Sequence, residues 1–443
     1  MANGRFNSMN KIRPGAYINF ESEAALDMSL GSRGIATFAV DLDWGADDKL
    51  IEVSANDLLN GYSLAKIGLT SNDANALLFN LALQNCNLVK VYRINSGGTK
   101  ATKTLDNGLV VTAKYNGLFG NKIAILIKSA GTKFSVETYA DGYLVDSQKV
   151  NSISELVNND YVVFSGEGSL SATTSTLLIG GTNGTATLAE KYRQYMDLLK
   201  TTKWNTIAVT TDDEAIITSV MSFVEEMRDE EGKYVQAVVP NTSTADYEGI
   251  INVVNSVILN DETNVTIPQF TAWVAGATAG AKLTDSLTGK IVENATGIVN
   301  PLSNNDIIDG LSTGKFILSL NQSGAVKVEK DINSLHTYTA DKGYIFSKNR
   351  IIRELDEIGS AIEDIWETTY LGKVSNNDDG RTLFKSSIIN YLTGLQNQGA
   401  ISDFDSSTVN VEAGPDIDSV IASIQVKPVD SMEFLYMTVN VEQ

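Results

Sequence analysis

The chain contains one cysteine, Cys86, and one histidine, His336, in 443 residues. A single cysteine excludes an internal disulfide and any cysteine-based metal cage. Within Ala82-Leu-Gln-Asn-Cys86-Asn-Leu88 it reads as a small buried hydrophobe. Catalytic zinc takes two or three His or Cys ligands, which one of each does not supply. A Ser-His-Asp or Cys-His site would have to use His336, which lies in Ser334-Leu-His-Thr-Tyr338, no recognisable nucleophile context. Apolar runs of about 18 residues are missing too, so no membrane-spanning helix is expected. Met1–Gly15 lacks the apolar core of a secretory signal. Basic runs are also missing. Against 34 Lys and Arg stand 54 Asp and Glu, a net charge of −20. Such a field repels phosphate backbones, so nucleic-acid binding is not expected.

What is present is ample apolar content, 43%, in a chain too long for one ordinary core. The order of patterns gives a multidomain α/β and α+β protein. Residues 1–33 have little core potential and read as an arm. Its Arg13-Pro-Gly15 turn precedes a short strand, Ala16–Phe20. Residues 34–97 read as a small α/β unit, with strands at Gly34–Val40 and Leu88–Arg93 around a helix at Asn72–Gln84. Residues 98–184 change character. Short β-type runs alternate with turn signals at 8–12-residue spacing, which predicts a β-sandwich. Asp141-Gly142 is a two-residue hairpin turn. Residues 185–340 alternate helix and strand, which argues a parallel sheet covered by helices. Helices are expected at Leu188–Leu199, Asp212–Arg228, Tyr247–Val254 and Phe270–Ala281. Residues 341–443 form an α+β domain. Its first helix, Tyr344–Trp366, puts Ile351, Leu355, Ile358, Ile362 and Ile365 on one face. Arg350, Arg353, Glu357, Ser360 and Asp364 fall on the other.

Three weak motifs have plainer readings. Gly276-Ala-Thr-Ala-Gly280-Ala-Lys-Leu283 imitates a P-loop, but Ala281 and Leu283 stand where glycine and Ser/Thr are required. Close helix packing by small residues accounts for it. Ser375–Gly380 opens like a calcium loop, yet its twelfth position is Ser386 rather than glutamate. The pairs Asp212-Asp213 and Glu225-Glu226 fall on solvated helix faces. No cofactor or metal is expected.

The most telling stretch is the last. Met432–Val441 reads M-E-F-L-Y-M-T-V-N-V, the composition of a strand. Glu433, Leu435, Met437, Val439 and Val441 share one side, and Phe434, Tyr436, Thr438 and Asn440 the other. Such a strand must pair with something, its own sheet or a neighbour's, or it is an aggregation hazard.

With no chemistry located, a structural or assembly protein is favoured over an enzyme. Three blocks then carry a resemblance: Ile332–Thr339, Lys348–Arg353 and Val426–Val441. Together with Arg13–Phe20 and Thr271–Gly280, they resemble the contractile tail sheath proteins of phages and phage-like particles. The resemblance implies an N-terminal arm, a β-sandwich insertion, an α/β domain subtilisin-like in fold only, and a C-terminal domain with exchanged terminal strands. It implies a subunit that polymerises helically around an inner tube and contracts to drive that tube through a cell envelope. Strand exchange maps onto Tyr17, Ile18 and Phe20 and onto Phe434, Leu435, Tyr436, Met437, Val439 and Val441. Lys348, Arg350 and Arg353 are candidates for contact with the tube, against internal pairing on their helix. The implied partners are further copies of the chain, the inner tail tube protein, and baseplate and tail terminator proteins, with no nucleic acid and no membrane. The implied place is a phage tail or tail-like particle, assembled in the bacterial host cytoplasm. Two alternatives stay open: the sheath of a tail-like bacteriocin or injection particle, and, from another class, an α/β hydrolase using His336. A strand-rich surface-layer filament is a third, which the missing signal argues against.

Overall fold

A computed structural model describes residues 34–185 and 187–441. The expected arm at 1–33, with Tyr17, Ile18 and Phe20, lies outside the described residues. The chain opens with β1 (Ile35–Val40), β2 (Leu50–Ser54), short helices α1 (Ala55–Leu59) and α2 (Ser63–Ile67), α3 (Leu77–Leu83) and β3 (Leu88–Arg93). Seven strands follow: β4 (Thr102–Thr104), β5 (Leu109–Ala113), β6 (Ile123–Ala130), β7 (Lys133–Ala140), β8 (Tyr143–Val150), β9 (Val162–Gly166) and β10 (Thr176–Leu177). Next come α4 (Leu188–Leu199), β11 (Thr206–Ala208), α5 (Glu214–Asp229), β12 (Gln236–Pro240), β13 (Ile250–Val253), β14 (Ser256–Leu259) and α6 (Ile267–Gly280). After them lie β15 (Ala295–Val299), α7 (Asn304–Ser312), β16 (Lys315–Phe316), β17 (Leu318–Leu320) and β18 (Val326–Val328). The last part holds α8 (Asn349–Ile365), α9 (Asp378–Asn397), β19 (Asn410–Ala413) and β20 (Val420–Ser423).

The central sheet has the order β16-β13-β12-β11-β1-β3-β2 and is parallel except for the edge strand β2. Residues 34–97 are therefore not a separate unit, as their pattern suggested. β1 pairs with β3 on one side and β11 on the other, so both segments build one sheet. Side chains alternate across it. Phe38, Ala208, Val238 and Ile251 meet α3 and α6, whereas Ala39, Ile207, Ala237 and Val239 meet α4 and α5. The helix expected at Tyr247–Val254 is instead β13. Its Ile250–Val253 are all buried between β12 and β16, and a short apolar run does not by itself separate a buried strand from a helix.

The sandwich packs β4-β5-β9 against β10-β6-β7-β8, with Leu109, Val111, Ile125, Ile127 and Val136 inside. At the β7–β8 turn Asp141 and Gly142 have φ of 49° and 84°, the left-handed pair that a tight hairpin requires. Arg93 joins the sandwich to the sheet. Fully buried at the end of β3, it donates to Leu42 O at 2.8 Å, Asn116 Oδ1 at 2.6 Å and Asn183 Oδ1 at 3.1 Å.

The helix α8 is amphipathic only in its second half. Asn349–Glu354 and Asp356–Ile358 are buried, polar face included. This half runs between the central sheet's periphery and the C-terminal segment, so its charges are met by internal partners. Arg228 on α5 makes a two-pronged pair with Asp356, at 2.8 and 2.9 Å. Behind the second half, Ile358, Phe384, Ile388, Leu392 and Val409 form the C-terminal core.

Candidate functional site

Among the described residues the hairpin β19–β20 stands alone as a two-stranded sheet, each strand with one neighbour. Such hairpins are marginal by themselves, and their outer edges present unpaired N–H and C=O groups. The chain then returns toward the domain. Ser402 N donates to Lys427 O and Val429 N to Ala400 O, both at 2.9 Å. Beyond Glu433 this order stops. The strand expected at Met432–Val441 is not formed within the single chain. Leu435, Tyr436, Met437, Val439 and Val441 are 84, 91, 72, 69 and 85% exposed. Among the described residues no hydrogen bond or ion pair reaches Leu435–Val441. Phe434, 68% exposed, has its ring 5.6 Å from Lys330 Nζ. A run of large apolar side chains held in water marks a contact surface for another molecule.

The root of this segment is built differently. The side chain of Glu433 is 6% exposed, between two strongly exposed neighbours. Thr288 Oγ1 donates to its Oε1 at 2.8 Å, and Lys348 Nζ pairs with its Oε2. Lys348 Nζ also lies 3.2 Å from Asp430 Oδ2. Sequence patterns flagged Lys348, Arg350 and Arg353 but not these acids. The only signal was one carboxylate on an otherwise apolar strand face. All three basic side chains lie inside. Arg350 Nε is 3.3 Å from Glu354 Oε1, and Arg353 Nη2 is 3.0 Å from Asp331 Oδ2 and 2.7 Å from Asp285 O. Their side chains are 5, 8 and 0% exposed, which supports the internal-pairing alternative on this helix. The cause is the acidic surroundings into which α8 inserts its first two turns.

Burial pushes the Glu354 carboxyl up to about 8, against the lowering pull of Arg350. The unfolded carboxyl titrates near 4.3. Between those values the folded chain holds a proton that the unfolded chain has lost, so stability falls as pH rises through this window. Glu354→Gln is expected to flatten that slope. Urea unfolding at pH 5 and pH 8 checks it, the unaltered chain losing roughly 2–3 kcal/mol more than the variant between the two once partial solvent screening is allowed for.

The other motifs resolve plainly. Gly276 and Gly280 lie within α6 and face the backbone of Ala82 and Asn85, so this is close helix packing, not a phosphate loop. Asn377 caps α9 by accepting from Gly380 N at 2.8 Å. Asp213 caps α5 by accepting from Ala215 N and Ile216 N. Cys86 is 2% exposed and its thiol is pushed up to about 12 by burial, so it is held as the unreactive thiol. His336 Nδ1 is 2.9 Å from Ser334 O and 3.2 Å from Asp246 Oδ1. The chain also spells a G-x-S-x-G at Gly310-Leu-Ser-Thr-Gly314. A nucleophile elbow joins a strand to a helix. Here Ser312 ends α7 before β16, and its Oγ donates to Asp309 O at 2.8 Å.

The described residues thus form a multidomain body with a two-stranded hairpin and an exposed apolar terminal segment. Comparison with known proteins makes the class specific. The phage tail sheath protein beta-sandwich domain matches residues 96–183, the central domain 186–334 and the C-terminal domain 341–442. The sheath tail protein from Desulfitobacterium hafniense is 41% identical, with a TM-score of 0.80 over 94% of this chain and 97% of that one. The phage-like element PBSX protein XkdK of Bacillus subtilis is 34% identical over 97% of both chains. The sheath of an extracellular contractile injection system, in its contracted state, shares the fold at a TM-score of 0.57 and 12% identity, covering 98% of each chain. The chain belongs to the phage tail sheath family.

Proposed function

We propose that this chain polymerises helically around an inner tail tube and, by contracting, drives that tube through a cell envelope. The observation that carries the reading is the terminal segment Phe434–Val441, apolar and exposed, with no hydrogen bond or ion pair reaching Leu435–Val441 among the described residues, where the hairpin β19–β20 also has two open edges. Donation of this segment to a neighbour's hairpin is strand addition. Main-chain hydrogen bonds supply affinity and alternate side chains supply register. The arm with Tyr17, Ile18 and Phe20 is the proposed second donor. A donor and an acceptor on different faces of one subunit make a heterologous contact, which generates a helix rather than a closed dimer. The domains then move as near-rigid bodies on contraction while the exchanged strands keep the mesh connected. Tube, baseplate and terminator proteins are the remaining partners. The α/β domain, likened to subtilisin in fold, contributes shape and not hydrolysis. The likeness to a phage-like element protein favours, as a second reading, a tail-like particle over an infectious tail.

Negative-stain electron microscopy of the purified full-length protein tests the reading. Hollow helical tubes are the expected result. Monomers that stay dispersed at high concentration, even with tube and baseplate proteins added, would count against it.

A further inference from the structure

We propose that Glu433 is a positioning residue, latched by Lys348 and Thr288, that fixes where the C-terminal strand leaves its own subunit and hence its register in the neighbour. The inference rests on the strand-donation reading and adds to it the device that sets the register.

Four observations carry it. First, Glu433 is a buried side chain at the head of an exposed segment, flanked by Met432 and Phe434 at 103 and 68% exposure. Strand alternation alone does not bury one carboxylate in this way. Second, its two oxygens have separate partners on separate elements, Thr288 in the loop after α6 and Lys348 at the head of α8. Third, those partners are themselves fixed. Thr288 Oγ1 accepts from Asp331 N at 2.9 Å. The Asp331 carboxylate accepts from Leu287 N, Asn349 Nδ2 and Arg353 Nη2 at 2.9–3.0 Å. Burial acts to lower the Lys348 pKa, and Glu433 and Asp430 more than offset it, so the latch keeps its positive charge. Fourth, Lys330 stands at the exit between the rings of Tyr344 and Phe434, at 5.3 and 5.6 Å.

The consequence is geometric. Side chains alternate along a strand, so a slip of one residue exchanges its two faces. Glu433 shares parity with Leu435, Met437, Val439 and Val441, and holding it decides which face these four present. Without the latch the nearest backbone tie is Val429 to Ala400. Four freed residues allow up to about 14 Å of slack, enough for several registers.

The test compares Glu433→Gln, Lys348→Met and the double variant with the unaltered full-length protein. Each is followed by amide exchange in the monomer and by the critical concentration and helical lattice of the tubes. Glu433→Gln is expected to speed exchange at Ser431–Phe434 while leaving α8 and α9 protected. It should also raise the critical concentration about tenfold or more, or give tubes without a single lattice. The double variant should be no worse than Lys348→Met, which already removes the Lys348–Glu433 contact along with the pair to Asp430. Should Lys348→Met not fold, Glu433→Gln decides alone. Unaltered critical concentration and lattice in Glu433→Gln would overturn the latch. The two readings fail separately. A chain ending at Glu433 that polymerises normally removes strand donation, whereas a polymerisation-dead truncation beside a normal Glu433→Gln removes only the latch.

Discussion

A chain that stops after Glu433 is expected to fold as the full-length protein does and to form no tubes. The ten residues removed include Leu435–Val441, which make no hydrogen bond or ion pair among the described residues, and Phe434, whose ring meets Lys330. Their loss should leave stability within about 0.5 kcal/mol, the usual range for exposed positions away from special contacts. Assembly is another matter. Burying Leu435, Met437, Val439 and Val441 contributes roughly 1.5–3 kcal/mol each. Ordering eight backbone residues costs about 1–2 kcal/mol each. The two terms nearly cancel, so one donated strand is a weak link held by its backbone hydrogen bonds and by repetition along the polymer. A polymer held this way should collapse when every copy loses the link. Sedimentation of full-length and shortened chains, with thermal melts of both, checks the two halves of the expectation. Single changes refine it. Met437→Asp places a charge on the apolar side and should block tubes, while Asn440→Asp, on the other side, should be tolerated. Tubes from the shortened chain would show that the terminal segment is not the link.

The same segment shows how far sequence carries and where it stops. Its alternation, composition and need for a partner are all legible in ten letters. That it forms no strand here is equally physical, since a strand is defined by its neighbour and the described residues supply none. The sandwich was legible because its pairing is local: β6, β7 and β8 follow one another through turns that the sequence spells out. The parallel, helix-covered character of the central sheet was legible in 185–340, but its full extent was not, because β1 meets β11 across 170 residues and nothing in either strand names the other. The charged face of α8 misled for a related reason. Arg350 and Arg353 look solvated on a helical wheel, yet they are buried against Glu354 and Asp331. Burial of charge depends on partners far away in sequence. Glu433 shows the same limit from the other side.

Gly280→Ala and Gly276→Ala are expected to destabilise the molecule by several kcal/mol, although alanine is the better helix former. In an open helix the exchange stabilises by about 0.5–1 kcal/mol, since glycine loses more backbone entropy. Here a Cβ on Gly276 would stand 2.2 Å from Ala82 O, and one on Gly280 would stand 1.7 Å from Asn85 O. Both obstacles are backbone carbonyls, one in the last turn of α3 and one just after it, with no rotamer that moves them aside. The helices would have to separate, opening the contact among Phe79, Ala82, Trp273 and Ala277 beneath the sheet. Overpacking of this kind costs typically 1–3 kcal/mol and more where backbone must shift, which outweighs the propensity gain. Gly394 supplies the control. It lies in α9 with nothing within 4 Å of an added Cβ, so Gly394→Ala should stabilise the chain. Urea midpoints for the three variants should fall on opposite sides of the unaltered protein. If all three rise together, propensity governs and α3 and α6 are not in close backbone contact. If Gly276→Ala and Gly280→Ala fall while Gly394→Ala rises, the small residues of Gly276–Gly280 are there for packing.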